Sequence, residues 1–342
     1  MSKATIEDVA RVAGVSISTV SRVLNNNYPV KEETRKKVED AIVTLEFTPN
    51  SLARGLIRNK TFTVGVITPS ITNLFFPVVV GGIQEYFQGE GYTILLSDTG
   101  GAPEQELKHC QNFKERRVDG VISIDPRTAN IKSGFYEKLS GEIQTVLING
   151  YSDGVACNFV INDQATGARQ ALQYLVDLGH KSIVFVRGDD SYSYDLKEEV
   201  FYRVLRENNL PAGPGSIVRI GSGNSVQTME MSIAAVKERL EAGTRPTAVF
   251  ACNDWMAIGA LYAAQALGLA LPEDLSVIGY DNILVSQLSR PRLTTVDQNM
   301  HRLGRVSAEL LLGLMQRRVE PFQRIHLDTK LVVRESAAPY GT

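Results

Sequence analysis

The stretch Thr5 to Asn25, TIEDVARVAGVSISTVSRVLN, constrains this chain more than any other. Ile6, Val9, Ala10 and Ala13 recur at the three- and four-residue spacing of one helical face. Thr5 can accept from the Asp8 N–H as an N-cap, and Glu7 and Asp8 then sit in the first turn, where the helix dipole favours carboxylates. Gly14 can take the left-handed conformation that ends the helix. Ser16 caps a second helix, Ile17 to Asn25, whose buried face is Val20, Val23 and Leu24. Ile17, Ser18, Thr19, Ser21 and Arg22 stay on or near its exposed side. A helix, a glycine turn and a second helix can place that second helix in a DNA major groove. A helical hairpin used only for packing is the plainer reading of an arbitrary helix pair. Small hydroxyls beside Arg22 and Asn25 are groove-contact chemistry and favour DNA.

Charge agrees once it is divided. Residues 1–60 hold ten Lys/Arg against seven Asp/Glu, and the remainder twenty-six against thirty-one, so the basic excess is confined to the first segment. A third helix is predicted over Lys31 to Leu45, with Val38, Ala41, Ile42 and Leu45 as its apolar stripe. Phe47 to Lys60 reads as a linker able to form two turns of helix from Ser51 to Ile57, too short to be stable alone and weakened by Gly55. From Thr63 the texture changes. Short β-branched runs (63–68, 93–98, 120–125, 145–149, 182–187, 247–252, 275–280) alternate with amphipathic segments (103–117, 164–179, 195–208, 225–242, 254–268). That alternation predicts parallel sheets covered on both faces, with too many strands for one sheet and hence two lobes. A helix from His301 to Met315, a strand around 324–333 and a loose tail close the chain. In such folds a ligand sits beyond the carboxyl ends of the strands, or in the cleft between lobes.

The run T-I-x-D-V-A-x-x-A-G-V-S-x-S-T-V-S-R-V-L-N resembles the signature of the LacI/GalR family of bacterial transcription regulators, and the match continues through Glu33-Thr34-Arg35, Pro49-Asn50 and spaced motifs beyond residue 62. The resemblance implies an all-α helix-turn-helix headpiece (1–48), a hinge helix (49–61), an α/β two-lobed core (62–337) of two doubly wound parallel-sheet subdomains like periplasmic binding proteins, and a short tail (338–342). The first subdomain would comprise about 62–160 and 291–320, the second about 161–290 and 321–337.

It implies that Ile17, Ser18 and Arg22 face base edges, while Ser16, Thr19, Ser21, Asn25 and Thr34 position on phosphate, with Thr5 in the same DNA-binding set. The hinge would bring Asn50, Ala53 and a minor-groove wedge, Leu56, against double-stranded operator DNA. A homodimer would read a roughly palindromic site. Effector-binding residues would be Asn73, Phe75, Phe76, Ser97, Asp125, Asn149, Asp195, Asn253, Trp255, Asp281 and Gln298, their carboxylates, amides and rings suiting a sugar-like molecule.

Two departures bear on that molecule. Asn149-Gly150 stands where many relatives have Asp-Arg, and an ungapped alignment puts Asp195 where many have an arginine. A cleft lacking that cation disfavours an anionic effector. Alternatives are a regulator answering to a protein corepressor, or a ligand-binding protein with no DNA role. The four histidines are dispersed and no nucleophile, metal or phosphate-loop motif appears, so no enzyme, metal or cofactor is expected. Three scattered cysteines, no signal-like N-terminus and no long apolar run predict a cytoplasmic protein without a membrane span.

Overall fold

The computed structural model describes residues 4–25, 28–47, 60–189, 191–221, 223 and 227–341. The chain forms two compact units, Met1–Thr61 and Phe62–Thr342. The hinge residues Asn50, Ala53 and Leu56, and the side chain of Asn25, lie outside the described residues.

In the first unit, α1 (Ile6–Ala13) opens on a capping box: Thr5 Oγ1 accepts from Asp8 N, and Asp8 Oδ2 accepts from Thr5 N at 3.0 Å. Gly14, at φ 66°, ends it. Ser16 starts α2 (Ile17–Asn25) by accepting from Thr19 N at 3.2 Å. The third helix, α3, runs Glu32–Thr44, one residue inside the predicted span at each end. Val9, Ala10, Ala13, Val20, Val23, Val38 and Ala41 form its small core.

The second unit starts with β1 (Thr63–Thr68), α4 (Phe75–Gly89), β2 (Thr93–Asp98), α5 (Pro103–Glu115), β3 (Gly120–Ile124), α6 (Thr128–Lys132), α7 (Phe135–Glu142), β4 (Thr145–Ile148) and β5 (Asn158–Asn162). It continues with α8 (Gln164–Asp177), β6 (Ile183–Arg187), α9 (Tyr192–Glu207), β7 (Ile217–Arg219), α10 (Thr228–Glu241), β8 (Ala248–Ala251), α11 (Asp254–Ala266), β9 (Ser276–Ile278) and α12 (Leu284–Leu288). It closes with β10 (Thr295–Asp297), α13 (Met300–Met315), β11 (Arg324–Leu327) and β12 (Lys330–Val332). One sheet is ordered β11-β5-β4-β3-β1-β2 and a second β7-β6-β8-β9, and every pairing in both is parallel. β10 and β12 form an antiparallel pair. Parallel strands demand crossover helices, and those helices bury β3, β4 and β6 completely.

Four features differ from the sequence reading. α4 occupies a segment left out of the predicted helical stretches, because FFPVVVGGIQEYFQG lacks a polar cap and carries the helix-weakening pair Gly81-Gly82. Its Gly82 and α13's Gly304 lie where a Cβ would strike the facing helix backbone, so the two helices cross at close range. The short strands β5, β7 and β10 carry too little pattern to stand out. β11 pairs with β5 in the first sheet, whereas β10 bridges to β9 of the second, so 321–327 and 291–297 sit in the opposite lobes from those expected from the family resemblance. The tail is not loose. Ser336 is fully buried, its carbonyl accepting from Val277 N at 2.7 Å and its hydroxyl from Thr294 N at 2.8 Å.

Candidate functional site

Two surfaces carry chemistry, one in each unit. On α2, Ser16, Ile17, Ser18 and Arg22 are exposed, Ile17 at 47%. Thr19, Ser21 and Thr34 are half-buried. The Ser16 hydroxyl lies 2.8 Å from both the Ser18 and Thr19 hydroxyls, so three small polar groups are held as a set. Arg22 lies over the Tyr28 ring at 5.5 Å. Thr5 is already engaged by its capping box.

The second surface is the cleft of the core. Strand ends and helix starts bring together Asn73, Phe75, Phe76, Asp125, Asn149, Asn253, Asp281 and Gln298, joined by Gln164, Ser191, Ser193, Tyr194, Lys197 and Cys252. Asp125, Asn149 and Asp281 take positive φ at 47°, 58° and 115°. Asn and Asp tolerate the left-handed region better than other side-chain-bearing residues, which is one reason amides and acids end these strands.

A chain of buried polar side chains crosses the floor. Asn149 Oδ1 accepts from Asn162 N at 2.9 Å, Asn162 Nδ2 donates to Gln298 Oε1 at 3.1 Å, and Gln298 Nε2 donates to Asp281 Oδ1 at 2.5 Å. The acceptor-only carboxylate sets the direction of the chain and leaves Asn162 Oδ1 without a partner. Gln164 Oε1 is likewise buried and unpartnered. Lys197, 2% exposed, donates to Ser193 Oγ and the Cys252 carbonyl, both at 3.1 Å, and its ammonium stands 3.7 Å above the Tyr280 ring. Burial pulls its pKa down against the opposing pull of Asp281 and Asp125. Burial pushes Asp125 up to about 6 and Asp281 up to about 7, Lys197 holding both back. Beneath them Asp254, fully buried, is pushed well above the carboxylate range by burial and then by the charge of Asp281.

Three sequence-predicted residues do not join the cleft. Ser97 lies on the edge strand β2. Trp255 faces a separate apolar groove with Met229, Tyr262, Val285 and Leu288. Asp195 is 63% exposed and pairs with Arg187 at 2.6 Å, beside Glu198 on the same guanidinium. Asn253 lines the cleft, yet its amide is spent on structure: Oδ1 caps α11 at Met256 N (2.9 Å) and Nδ2 donates to the Gly223 carbonyl (3.0 Å). The expectation of a cleft without its cation is corrected by Lys197. That residue had a signal: in α9 it falls between Tyr194, Phe201 and Val204 at helical spacing, a lysine in an apolar stripe. Among the described residues, no group of three or more His, Cys, Asp or Glu could hold a metal ion, and no helix is long and apolar enough to cross a membrane.

Residues 5–50 match the model of bacterial regulatory proteins, lacI family, and residues 172–337 that of the periplasmic binding protein-like domain. Catabolite control protein A of Priestia megaterium is 37% identical over 335 residues, spanning 97% of this chain and 98% of that protein. The crystal structure of the lac repressor dimer bound to operator and the anti-inducer ONPF is similar at TM-score 0.88 and 29% identity, over 98% of this chain and 100% of that one. A complex of the transcriptional regulator CelR with cellobiose is similar at TM-score 0.73 and 27% identity, over 98% and 100% of the two chains.

Proposed function

The chain belongs to the lacI family of bacterial regulatory proteins and is a DNA-binding transcriptional repressor rather than an enzyme; on that premise we propose that a neutral, sugar-like molecule in the cleft switches its hold on a specific operator. The observation that carries the effector reading is the composition of the cleft. One buried ammonium, Lys197, faces two carboxylates, Asp125 and Asp281, and the unpartnered Gln164 oxygen adds an acceptor. Such a wall recognises hydroxyl donors and repels anions. Phe75 and Phe76 supply ring faces for the C–H side of a sugar. The free space is about 40 Å³, below the ~150 Å³ of a cavity that takes benzene, so the lobes part to admit a ligand of this size. The cellobiose bound to CelR is consistent with this class.

On DNA, Ile17, Ser18 and Arg22 read base edges and Ser16, Thr19, Ser21, Asn25 and Thr34 hold phosphates, with Thr5 in the same DNA-binding set. Asn50, Ala53 and Leu56 form the hinge in the minor groove. Two copies act together. Tyr262, Leu284 and Leu288, 51%, 61% and 65% exposed, give the core an apolar face suited to a second copy, and the related lac repressor was solved as a dimer. Effector binding shifts the population between DNA-competent and DNA-incompetent arrangements.

A thermal-shift panel tests the effector. Neutral sugars and polyols should include a stabilising ligand, and a preference for sugar phosphates or sugar acids would refute the charge argument. A gel-shift competition tests the reading head. Arg22→Ala should lower sequence discrimination by about 1–3 kcal/mol, and unchanged selectivity would remove Arg22 from base contact.

A further inference from the structure

Tyr28 stands just beyond α2, 66% exposed, and belongs to neither the headpiece core nor its flanking apolar residues. An exposed aromatic ring gains little from packing, so its placement calls for another cause. Arg22, in the last turn of α2, lies with Cζ 5.5 Å from the centroid of that ring, inside the ~6 Å range of a cation–π contact.

We propose that Tyr28 is a positioning residue for Arg22: its ring holds the guanidinium in the free protein so that the N–H edge is aimed at a base pair before DNA arrives. The proposal rests on the reading of α2 as the groove helix. A cation–π contact consumes none of the guanidinium's N–H donors as hydrogen bonds to an acceptor, and bidentate donation to guanine O6 and N7 uses those donors. An arginine already ordered loses less rotamer freedom on meeting its base, so the gain appears as discrimination. The contact puts no charge on phosphate, so the salt dependence of binding should be unmoved.

The test uses the full chain and a duplex enriched from a randomised DNA library by the wild-type protein. The Arg22-read pair is the one whose substitution weakens wild-type binding but not Arg22→Ala. Binding to the enriched duplex and to its single-pair variant is then compared across Tyr28→Ala, Tyr28→Leu, Tyr28→Phe and the Tyr28→Ala/Arg22→Ala double variant. Tyr28→Ala and Tyr28→Leu should cut the discrimination ratio about two- to fivefold, the span expected for an exposed cation–π contact. Tyr28→Phe should keep the ratio, the double variant should lose no more than Arg22→Ala, and the salt slope should stay constant. An unchanged ratio in Tyr28→Ala, an equal loss with and without Arg22, or a Tyr28→Phe that behaves as Tyr28→Ala would overturn the proposal. A wild-type chain that enriches no duplex would overturn the DNA reading itself, a distinguishable result.

Discussion

In the headpiece, the side chains assigned to DNA sit mostly on one short helix, α2, and point outward. In the cleft, the lining runs from Asn73 to Gln298, and Asn73, Asn149, Lys197, Asn253, Asp281 and Gln298 are buried, several of them tied into the surrounding fold by hydrogen bonds. The first surface can change its chemistry without touching the core of the unit that carries it. The second cannot, since Asn253 there is also a helix cap and Lys197 is the counter-charge of Asp125 and Asp281. Recognition and stability are therefore largely separable at Ile17, Ser18 and Arg22 in the headpiece, overlap only at the caps Thr5 and Ser16, and are entangled in the cleft.

That contrast can be broken by mutation. The largest effect is expected at Asn253, whose buried amide caps α11 and holds the Gly223 carbonyl. Asn253→Ala should cost the core about 3 kcal/mol in denaturant unfolding, because a cap is lost and buried backbone groups are orphaned. A cost no larger than that of Arg22→Ala, expected within ~0.5 kcal/mol as an exposed substitution, would erase the distinction.

Asp125 sharpens it through pH. Its folded pKa is raised to about 6 from 3.8, so between those values the native protein holds a proton that the unfolded chain has released. The native penalty is absent below about pH 4, grows as pH rises and is complete above about pH 6. Asp125→Asn removes it. Its advantage over wild type should climb from almost nothing at pH 3 to roughly 2 kcal/mol at pH 7, read from unfolding midpoints. A gain already fully present at pH 3, below both pKa values, would mark a packing effect instead.

The smallest effect belongs to Ser16, an exposed cap. Ser16→Ala should weaken the headpiece by about 1 kcal/mol, seen as faster amide exchange across α2, and should free Ser18 and Thr19 from their shared hydroxyl contact. No change in exchange would mean the capping bond contributes nothing.

Legibility followed the same division. The capping box at Thr5, the left-handed Gly14 and the Ser16 cap could be read directly, because each is an interaction within four residues. The central strands were legible from their continuous apolar runs. α4 was not, since it starts without a polar cap and the pair Gly81-Gly82 interrupts its stripe of Phe75, Phe76, Val79, Val80, Ile83 and Phe87. In the cleft, strand-end amides and acids could be found from position alone, whereas Lys197 and Gln164 could not. They enter from helices whose rotation about their axes is set by packing. Asp195 shows the same physics in reverse: two residues from Lys197, it turns outward to Arg187.

Local periodicity and short-range capping were enough to set out the two units, the alternation of strand and helix, and the exposed face of α2. Tertiary structure alone decided which lobe owns β10 and β11, that the tail is pinned at Ser336, and that the cation of the cleft is Lys197. Those outcomes depend on pairings between residues far apart in the chain, and a polar group's partner in a buried cleft is whatever the packing of distant elements brings within hydrogen-bond reach.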